Sequence, residues 1–283
     1  MPQKITLILR PEGDFELPTS EGYQLYSALL AVMDRADPAA ARRAHDSPIS
    51  SISLGRLEGR FARCNSQRAR HKSVDPEESY RLAVGITDPK ESEIFRSIIQ
   101  PLVLQEQNLM LEKGEMRVEE LSSASTTFEE ILKSAGGLRD PCIDLQFSSP
   151  ACIQYKNTKI YEMFPHREAV FHSLLSKWNS VCPEEIRMSI ERDDIARYMI
   201  EKPLAYETHS VVVNTVFDKR KGHERPIMRQ GFSGRCQYTF ARGAPEGLKN
   251  GIVALARFAE YSGVGSAVAR GCGAVKAEVE EAR

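Results

Sequence analysis

The sequence predicts an α+β protein made of two tandem ferredoxin-like halves, each with the element order β-α-β-β-α-β. Two observations lead to this prediction. Segments in which apolar and polar residues alternate, as in half-buried strands, are separated by segments in which apolar residues recur every three to four positions, as in amphipathic helices. The same order of segments occurs twice along the chain, and this order is typical of the split β-α-β fold.

The first half begins with a strand in which Ile5 and Leu9 share one face. A helix follows, with an apolar stripe over residues 25–32, and Asp37-Pro38 either ends that helix or begins another. The remaining predicted elements of this half are strands at 49–57 and 80–86, a helix at 89–104 and a strand at 115–121.

The second half repeats this order after a linker at residues 122–141, which holds a short helix around residues 128–132. The predicted elements are a strand at 143–147, a helix whose apolar face runs from 170 to 178, strands near 196–202, 205–217 and 230–240 with a turn or loop at 219–226, a helix at 248–261 and a strand at 271–279. We therefore divide the chain into one domain at residues 1–138 and a second at 139–283.

Composition excludes several classes of protein. With 38 basic and 39 acidic residues among 283, the net charge of −1 does not indicate a partner. No apolar run approaches the roughly 18 residues of a membrane span, and the apolar stretch near the N-terminus is too short for a signal peptide. The six cysteines contain no Cys-x-x-Cys pair, which argues against a zinc site and indicates small buried residues in a reducing, cytoplasmic compartment.

Positive charge nevertheless collects in two places. The first basic segment consists of Arg56, Arg60, Arg63, Arg68, Arg70 and Lys72, together with His71. The second basic segment consists of Lys219, Arg220, Lys221, Arg225, Arg229, Arg235 and Arg242. Such clusters favour binding to a phosphate backbone, since each contact releases counterions from the polyanion. A pair of solvated surface loops is the alternative interpretation.

The most specific motif is the glycine loop, Gly263-Val-Gly265-Ser-Ala-Val-Ala-Arg-Gly271-Cys-Gly273. Glycines allow a ligand to approach the backbone closely, and the N–H groups of such loops can bind phosphate. A dinucleotide-binding fingerprint is excluded, because Val268 stands at the third glycine position and the loop follows a helix and precedes a strand. The alternative is a helix end followed by a tight packing turn.

The glycine loop resembles the signature of the CRISPR repeat-processing endoribonucleases, the sixth family of Cas proteins in the RAMP superfamily. Residues 17–30, 144–150 and 258–265 resemble other segments of that family, so the resemblance extends over nearly the whole chain. It implies RRM-like tandem domains that bind CRISPR repeat RNA across their junction and cleave the precursor transcript without metal or other cofactor. The product would be guide RNA for a Cascade-type effector complex, and the oligomeric state, monomer or homodimer, stays open.

Cleavage of RNA without metal needs one group to deprotonate the 2′-OH, one to protonate the 5′-oxygen, and charge to stabilise the phosphorane. Histidine suits either proton transfer. The resemblance places the catalytic histidine shortly after the first helix, at His45. The family's tyrosine aligns with Leu30, so that Tyr26, one turn earlier, is the candidate here. The family's lysine aligns with Ser50 or Ser51, which leaves the catalytic set incomplete.

RNA binding is predicted for a second set of residues. They are His71, Arg229, Arg235, Gly263, Gly265, Ser266, Arg270, Gly271 and Gly273. The remaining histidines, at 166, 172, 209 and 223, have weaker claims, as does Lys276. Two other functions stay open at this point: a non-catalytic RNA-binding subunit of the same fold, and an unrelated ferredoxin-like module that binds a small molecule or a protein.

Overall fold

The computed structural model describes residues 1–47, 51–62, 71–155, 158–218 and 222–282. In chain order, the first half contains β1 (Gln3–Pro11), β2 (Phe15–Pro18), α1 (Gly22–Ala36), α2 (Pro38–Asp46), β3 (Ile52–Leu54), β4 (His71–Val74), β5 (Tyr80–Ile86), α3 (Glu91–Ile99), β6 (Leu109–Met110) and β7 (Glu115–Ser125). The second half contains α4 (Phe128–Ala135), β8 (Pro141–Ala151), α5 (Arg167–Val181), α6 (Arg192–Tyr198), β9 (Met199–Asp218), β10 (His223–Phe240), α7 (Glu246–Ser262) and β11 (Val275–Glu281).

Each half contains one main antiparallel sheet, and the first half also has a two-stranded sheet of β2 and β4. The first sheet has the order β3-β5-β1-β7-β6 and the second has the order β11-β8-β10-β9. When the short strand β6 is set aside, each main sheet has four strands. The first and third of these four along the chain lie at the centre of the sheet, and the other two lie at its edges. Residues of α1 and α3 lie in the first core, and residues of α5 and α7 lie in the second. The predicted pair of ferredoxin-like halves is confirmed.

The predicted strand at 196–202 is wrong in its first three residues, which belong to α6. Asp193 and Asp194 lie in the first turn of that helix, where negative charge is favourable, and Ile195 is its buried residue. Strand β9 begins only at Met199. A helix of seven residues is too short for periodicity to reveal, so the apolar residues around it resemble the strand that follows.

The predicted turn at 219–226 is wrong where the structure describes it, because residues 223–226 belong to β10. Pro226 stands opposite Thr215 of β9, and the two long strands form a hairpin that extends well beyond the rest of the sheet. Residues 219–221, which carry part of the second basic segment, lie outside the described residues. The hairpin is therefore longer than polarity alone predicts.

The second core is built around aromatic side chains. Trp178 of α5 is fully buried and makes edge-on contacts with Phe128 and Phe258, whose ring centroids lie 5.0 and 5.3 Å away. Phe128 belongs to α4, which therefore packs in the second core although it precedes residue 138. The domain boundary itself stays a prediction. Among the described residues, no helix has the length and apolarity that crossing a membrane requires.

The two halves meet where α7 ends. Ser53 of β3 donates a hydrogen bond from Oγ to the carbonyl of Tyr261, over 2.7 Å. The backbone of Gly85 in β5 passes so close to the same carbonyl that a Cβ there would lie 2.0 Å from its oxygen. This contact places the chain that follows α7, which is the glycine loop, at the junction of the halves.

Candidate functional site

Helix α2 presents His45 at its C-terminal end. The carboxylate of Asp37 begins the helix by accepting hydrogen bonds from the backbone N–H groups of Ala39 and Ala40, both over 3.0 Å, as an N-cap residue does. The helix buries a face of small residues that includes Ala44, and His45 lies on the exposed side of the last turn. The predicted catalytic histidine is therefore accessible to a ligand.

Tyr26 of α1 packs against the end of α2 and is only 6% exposed. Its hydroxyl donates a hydrogen bond to the carbonyl of Ala44, over 3.3 Å. Burial raises the pKa of Tyr26; the charge of Arg270 opposes that rise and the charge of Asp46 adds to it. Tyr26 thus lies between the end of α2 and the glycine loop, and its hydroxyl is bound to the residue that precedes His45.

The glycine loop turns the chain sharply between α7 and β11. Gly271 and Gly273 have φ angles of +79° and +67°, a region that side chains strongly disfavour. At Gly273 a Cβ would also lie 1.9 Å from the carbonyl oxygen of Val264. Because of this turn the strand begins at Val275, and the prediction of a strand at 271–279 is wrong in its first four residues.

The N–H groups of the four loop glycines all donate within the protein. Gly263 donates to the carbonyl of Ala259, Gly265 to Oγ of Ser173, Gly271 to the carbonyl of Val268, and Gly273 to the carbonyl of Pro150, over distances of 2.8, 3.0, 3.3 and 2.9 Å. These donors are therefore not available to a phosphate, as the packing-turn interpretation predicts. RNA contact by this loop remains a prediction, for which the side chain of Arg270 and the cation that Ser266 binds, Arg229, are the candidates.

The loop packs directly against α1. A Cβ on Gly22, the first residue of α1, would lie 2.2 Å from the carbonyl oxygen of Arg270 and 2.7 Å from Cα of Gly271. The short turn Val268–Arg270 contacts the same helix. Helix α1 therefore contacts both the end of α2, through Tyr26, and the glycine loop, through Gly22.

A cavity of about 850 Å³ opens beside this junction. The residues that line it include Ser47, Phe164, His172, Arg192, Arg229 and Ser266. Ser47 stands two residues after His45, so one wall of the cavity is the end of α2 and another is the glycine loop. A cavity of this size, between two packed halves and lined by cations and polar side chains, is typical of a ligand site.

Arg229 of β10 is positioned by the loop. Its Nη1 donates a hydrogen bond to Oγ of Ser266 over 2.6 Å, and that hydroxyl in turn donates to the carbonyl of Cys152 over 2.7 Å. The guanidinium also stands 6.0 Å from the ring centroid of Tyr161. Two residues predicted to bind RNA, Arg229 and Ser266, are thus brought together on the cavity wall.

Three polar residues in the cavity were missed by the sequence-based prediction or given little weight. Nη2 of Arg192 lies 3.2 Å from Nδ1 of His172, and burial, with a smaller contribution from that guanidinium, lowers the pKa of His172. Lys177 is fully buried among the apolar residues of α5. The burial of Lys177 could have been predicted from the sequence, because this lysine falls within the apolar stripe of α5 that continues to Trp178.

Arg235 lies away from this cavity, on the open face of the second sheet. It makes a two-pronged ion pair with Asp144, with Nε and Nη2 at 2.9 and 2.8 Å from the carboxylate oxygens. The same carboxylate accepts a hydrogen bond from Gln237 over 3.0 Å. The structure therefore does not bring Arg235 together with Arg229, although both are predicted to bind RNA.

The first basic segment lies beside a different cavity, of about 780 Å³, which His71 and Arg56 line together with Arg270. Its charge is partly neutralised within the protein. Lys72 forms a buried ion pair with Glu21 over 2.9 Å. The part of the segment at residues 63–70 lies outside the described residues. His71 therefore lines a different cavity from Arg229 and Ser266, and His45 is not among the residues that line either cavity.

The cysteines take a packing role in the described residues. All five that the structure describes are free thiols, and four of them are buried. Cys152 and Cys272 hydrogen-bond to each other beneath the glycine loop. Among the described residues, no group of three or more His, Cys, Asp and Glu side chains is arranged to hold a metal ion.

Comparison with known protein families gives one match. Residues 145–275 match the family described as CRISPR-associated endoribonuclease Cas6. The matched region runs from β8 to the first residue of β11 and includes α5, Arg229 and the whole glycine loop. No curated protein matches the chain.

Solved structures extend the likeness to the whole chain. A Cas6 product complex matches with a TM-score of 0.70 at 18% identity and covers 98% of this chain and 99% of its own. Thermus thermophilus Cas6 matches with a TM-score of 0.64 at 18% identity, covering 98% of each chain. The product of a Cas6-related gene from Pyrococcus furiosus matches with a TM-score of 0.65 at 14% identity, covering 98% of this chain and 99% of its own.

At such identities the structural matches establish the fold, while the sequence match establishes the family likeness of the second half. The resemblance to the Cas6 endoribonucleases, predicted from the glycine loop and its neighbouring segments, is therefore confirmed.

Proposed function

We propose that this protein is an endoribonuclease that cleaves CRISPR repeat RNA within a precursor transcript and so produces guide RNA. The match of residues 145–275 to the Cas6 family supports this proposal, as does the fold shared with structures described as Cas6 product complexes. The observation that carries it is the position of an exposed His45 two residues before Ser47, which lines the 850 Å³ cavity together with Arg229 and with Ser266 of the glycine loop. Delivery of the guide RNA to a Cascade-type effector complex belongs to the same proposal.

In the proposed reaction the 2′-oxygen at the cleavage site attacks the neighbouring phosphorus. The O2′–P bond forms and the P–O5′ bond breaks, so that the products carry a 2′,3′-cyclic phosphate and a 5′-OH. The 2′-OH loses a proton to a base and the 5′-oxygen gains one from an acid. The imidazole of His45 serves one of these transfers, because histidine exchanges protons near neutral pH. The nucleophile is part of the substrate, so the proposal requires no metal.

Charge develops on the phosphorane oxygens in this reaction. The guanidinium group of Arg229, which stands on the wall of the 850 Å³ cavity, is the group we assign to stabilise it. Arg270, which lines the 780 Å³ cavity with His71, is assigned to bind the RNA backbone there. Tyr26 is assigned a positioning role. Its hydroxyl supports the carbonyl of Ala44 and thereby the turn of α2 that carries His45.

One observation favours a second candidate, a non-catalytic subunit that binds repeat RNA. Tyr26, the other residue predicted for catalysis, is nearly buried and donates its proton to the backbone rather than to the cavity. His45 would then lack the partner that the family resemblance predicts. This subunit would bind the same RNA with the same cations and leave it intact.

The two candidates are separated by incubating the purified protein with repeat RNA in excess EDTA and analysing the ends of any product. We expect cleavage in EDTA, a cyclic phosphate on the upstream fragment, and no cleavage when a single 2′-deoxy nucleotide replaces the ribonucleotide at the cut. Tight binding without product at any protein concentration would select the non-catalytic subunit. Cleavage of the 2′-deoxy RNA would contradict the proposed chemistry.

A further inference from the structure

Lys177 is a buried lysine whose partners are backbone carbonyls. It lies on α5, is 7% exposed, and donates from Nζ to the carbonyl oxygens of Ser262 and Gly263, over 2.9 and 3.0 Å. The first of these carbonyls ends α7 and the second begins the glycine loop. Cations near a helix C-terminus interact favourably with its unpaired carbonyls, so this contact stabilises the start of the loop.

The same helix holds the loop at a second point. Ser173 stands one turn before Lys177, so that the two side chains project from one face of α5. Its Oγ accepts a hydrogen bond from the N–H of Gly265 over 3.0 Å. Together Ser173 and Lys177 bind both glycines of the first Gly-x-Gly unit, and we call this pair the α5 clamp.

The clamp acts on the residue that orients Arg229. Ser266 follows Gly265 directly, and its hydroxyl accepts the hydrogen bond of Arg229. Lys177 also lines the 850 Å³ cavity, as do Arg229 and Ser266. A phosphate in that cavity would therefore meet both the guanidinium of Arg229 and the ammonium of Lys177.

The ionisation of Lys177 differs from that of a surface lysine. Burial alone lowers the pKa of Lys177 to about 7. The ionisable groups that line the cavity around it are Glu162, His166, Glu168, His172, Arg192 and Arg229. Glu260 and Tyr261 stand at the end of α7. An anion in the cavity favours the charged form of the amine, so its arrival near neutral pH would bring a proton with it.

We propose that Lys177 is a positioning residue for RNA, which with Ser173 holds the glycine loop so that Ser266 and Arg229 face a phosphate, and which takes up a proton when that phosphate enters the cavity. This inference rests on the proposed function for the identity of the ligand. The clamp itself rests only on the contacts of α5 with the loop.

Binding of uncleavable repeat RNA, with a 2′-deoxy nucleotide at the cut, tests the proposal between pH 6.5 and 9. Proton uptake by one group weakens binding by at most about tenfold for each pH unit above its pKa, and we expect part of this slope in the natural protein. Lys177→Met, which keeps the length of the side chain without its charge, should lose that slope and bind about three- to fivefold more weakly at pH 7. Lys133→Met, at an exposed lysine in the last turn of α4, is the matched control and should behave as the natural protein does.

A measurement without RNA tests Lys177 independently of the proposed function. An unfolded lysine keeps its proton to about pH 10.4, whereas Lys177 in the folded protein loses it near pH 7, so the unfolded state binds more protons between these values. The free energy of unfolding should therefore rise with pH across this window. This rise should be smaller for the Lys177→Met variant than for the Lys133→Met variant.

The outcomes separate the two proposals. If the natural protein does not bind repeat RNA, the proposed function fails, while the unfolding data still decide the ionisation of Lys177. If Lys177→Met binds RNA with the affinity and pH dependence of the natural protein, the positioning role is wrong. If Lys177→Met does not fold, Ser173→Ala replaces it. We expect faster hydrogen exchange at the Gly265 amide and weaker RNA binding in that variant, and unchanged values for both would overturn the clamp.

Discussion

The two halves of the chain share one sheet order but display their site residues by different means. In the first half His45 projects from the exposed side of a capped helix, and the fold places few demands on its side chain. In the second half the glycine loop has left-handed backbone angles and close backbone contacts that only glycine satisfies at Gly271 and Gly273. The comparison teaches that chemistry and geometry are separable in the proposed function: there the first half supplies the reactive group, and the second supplies the shape around it.

If this separation is correct, the largest effect on activity comes from the first half without a loss of stability. We expect His45→Ala to slow cleavage of repeat RNA by about 10²–10⁴-fold, the usual contribution of general acid–base catalysis. Single-turnover rates in EDTA measure the effect. The free energy of unfolding and the affinity for uncleavable RNA should stay unchanged, because His45 is exposed. Undiminished cleavage would remove His45 from the mechanism.

In the second half the largest effect is on stability. Gly273→Ala combines a left-handed φ with a contact of 1.9 Å, and we expect it to lower the free energy of unfolding by about 2–4 kcal/mol, measured in urea. Gly243→Ala is the matched control, because Gly243 has a φ of +86° with nothing within 4 Å of its Cβ position. It should cost only the backbone strain, about 1–2 kcal/mol. Equal losses in both variants would show that the close contact relaxes freely.

A smaller effect distinguishes the cavity from the open sheet face. Arg229→Ala should weaken RNA binding and reduce the slope of log affinity against log salt by about 1, as the loss of one phosphate contact does. Arg235→Ala should change the slope less, because Asp144 already neutralises that guanidinium through two hydrogen bonds. Titrations at several salt concentrations measure both. A larger change of the slope for Arg235→Ala than for Arg229→Ala would indicate that the RNA binds along the open face of the sheet.

The smallest effect concerns Tyr26 and tests how the end of α2 is held within the first half. Tyr26→Phe removes one hydrogen bond of 3.3 Å to Ala44, so we expect a loss of about 1 kcal/mol or less in the free energy of unfolding, and at most a few-fold slower cleavage. Denaturant unfolding and single-turnover kinetics provide the two values. A rate loss comparable to that of His45→Ala would instead make Tyr26 a catalytic residue.

The fold was largely predictable because its signals are local. Alternation identified β1, β5 and β8, and the apolar stripes identified α1, α5 and α7. The errors arose where tertiary contacts override local pattern. The seven residues of α6 are too few to show a helical period. The first residues of β10 owe their strand geometry to pairing with β9 rather than to their polar sequence.

The site was predictable in its parts and not in its assembly. The glycine spacing and a histidine after the first helix were visible in the sequence. The sequence could not show whether the glycine amides are free to bind phosphate. Three of their four hydrogen-bond acceptors come from α5, α7 and β8, and the fourth is Val268 of the loop itself. The separation of Arg229 from Arg235, six residues apart on one strand, likewise depends on their tertiary partners, which are Ser266 of the glycine loop for Arg229 and Asp144 of β8 for Arg235.

The amino-acid sequence by itself determined the two halves, their order of elements and the glycine loop, because periodicity and steric tolerance are properties of neighbouring residues. The tertiary structure alone decided that Gly22 touches the loop, that Ser47 and Ser266 share a cavity, and that Lys177 is buried against two carbonyls. These contacts join residues far apart in the chain. Their burial, and with it the lowered pKa of Lys177, exists only in the folded protein.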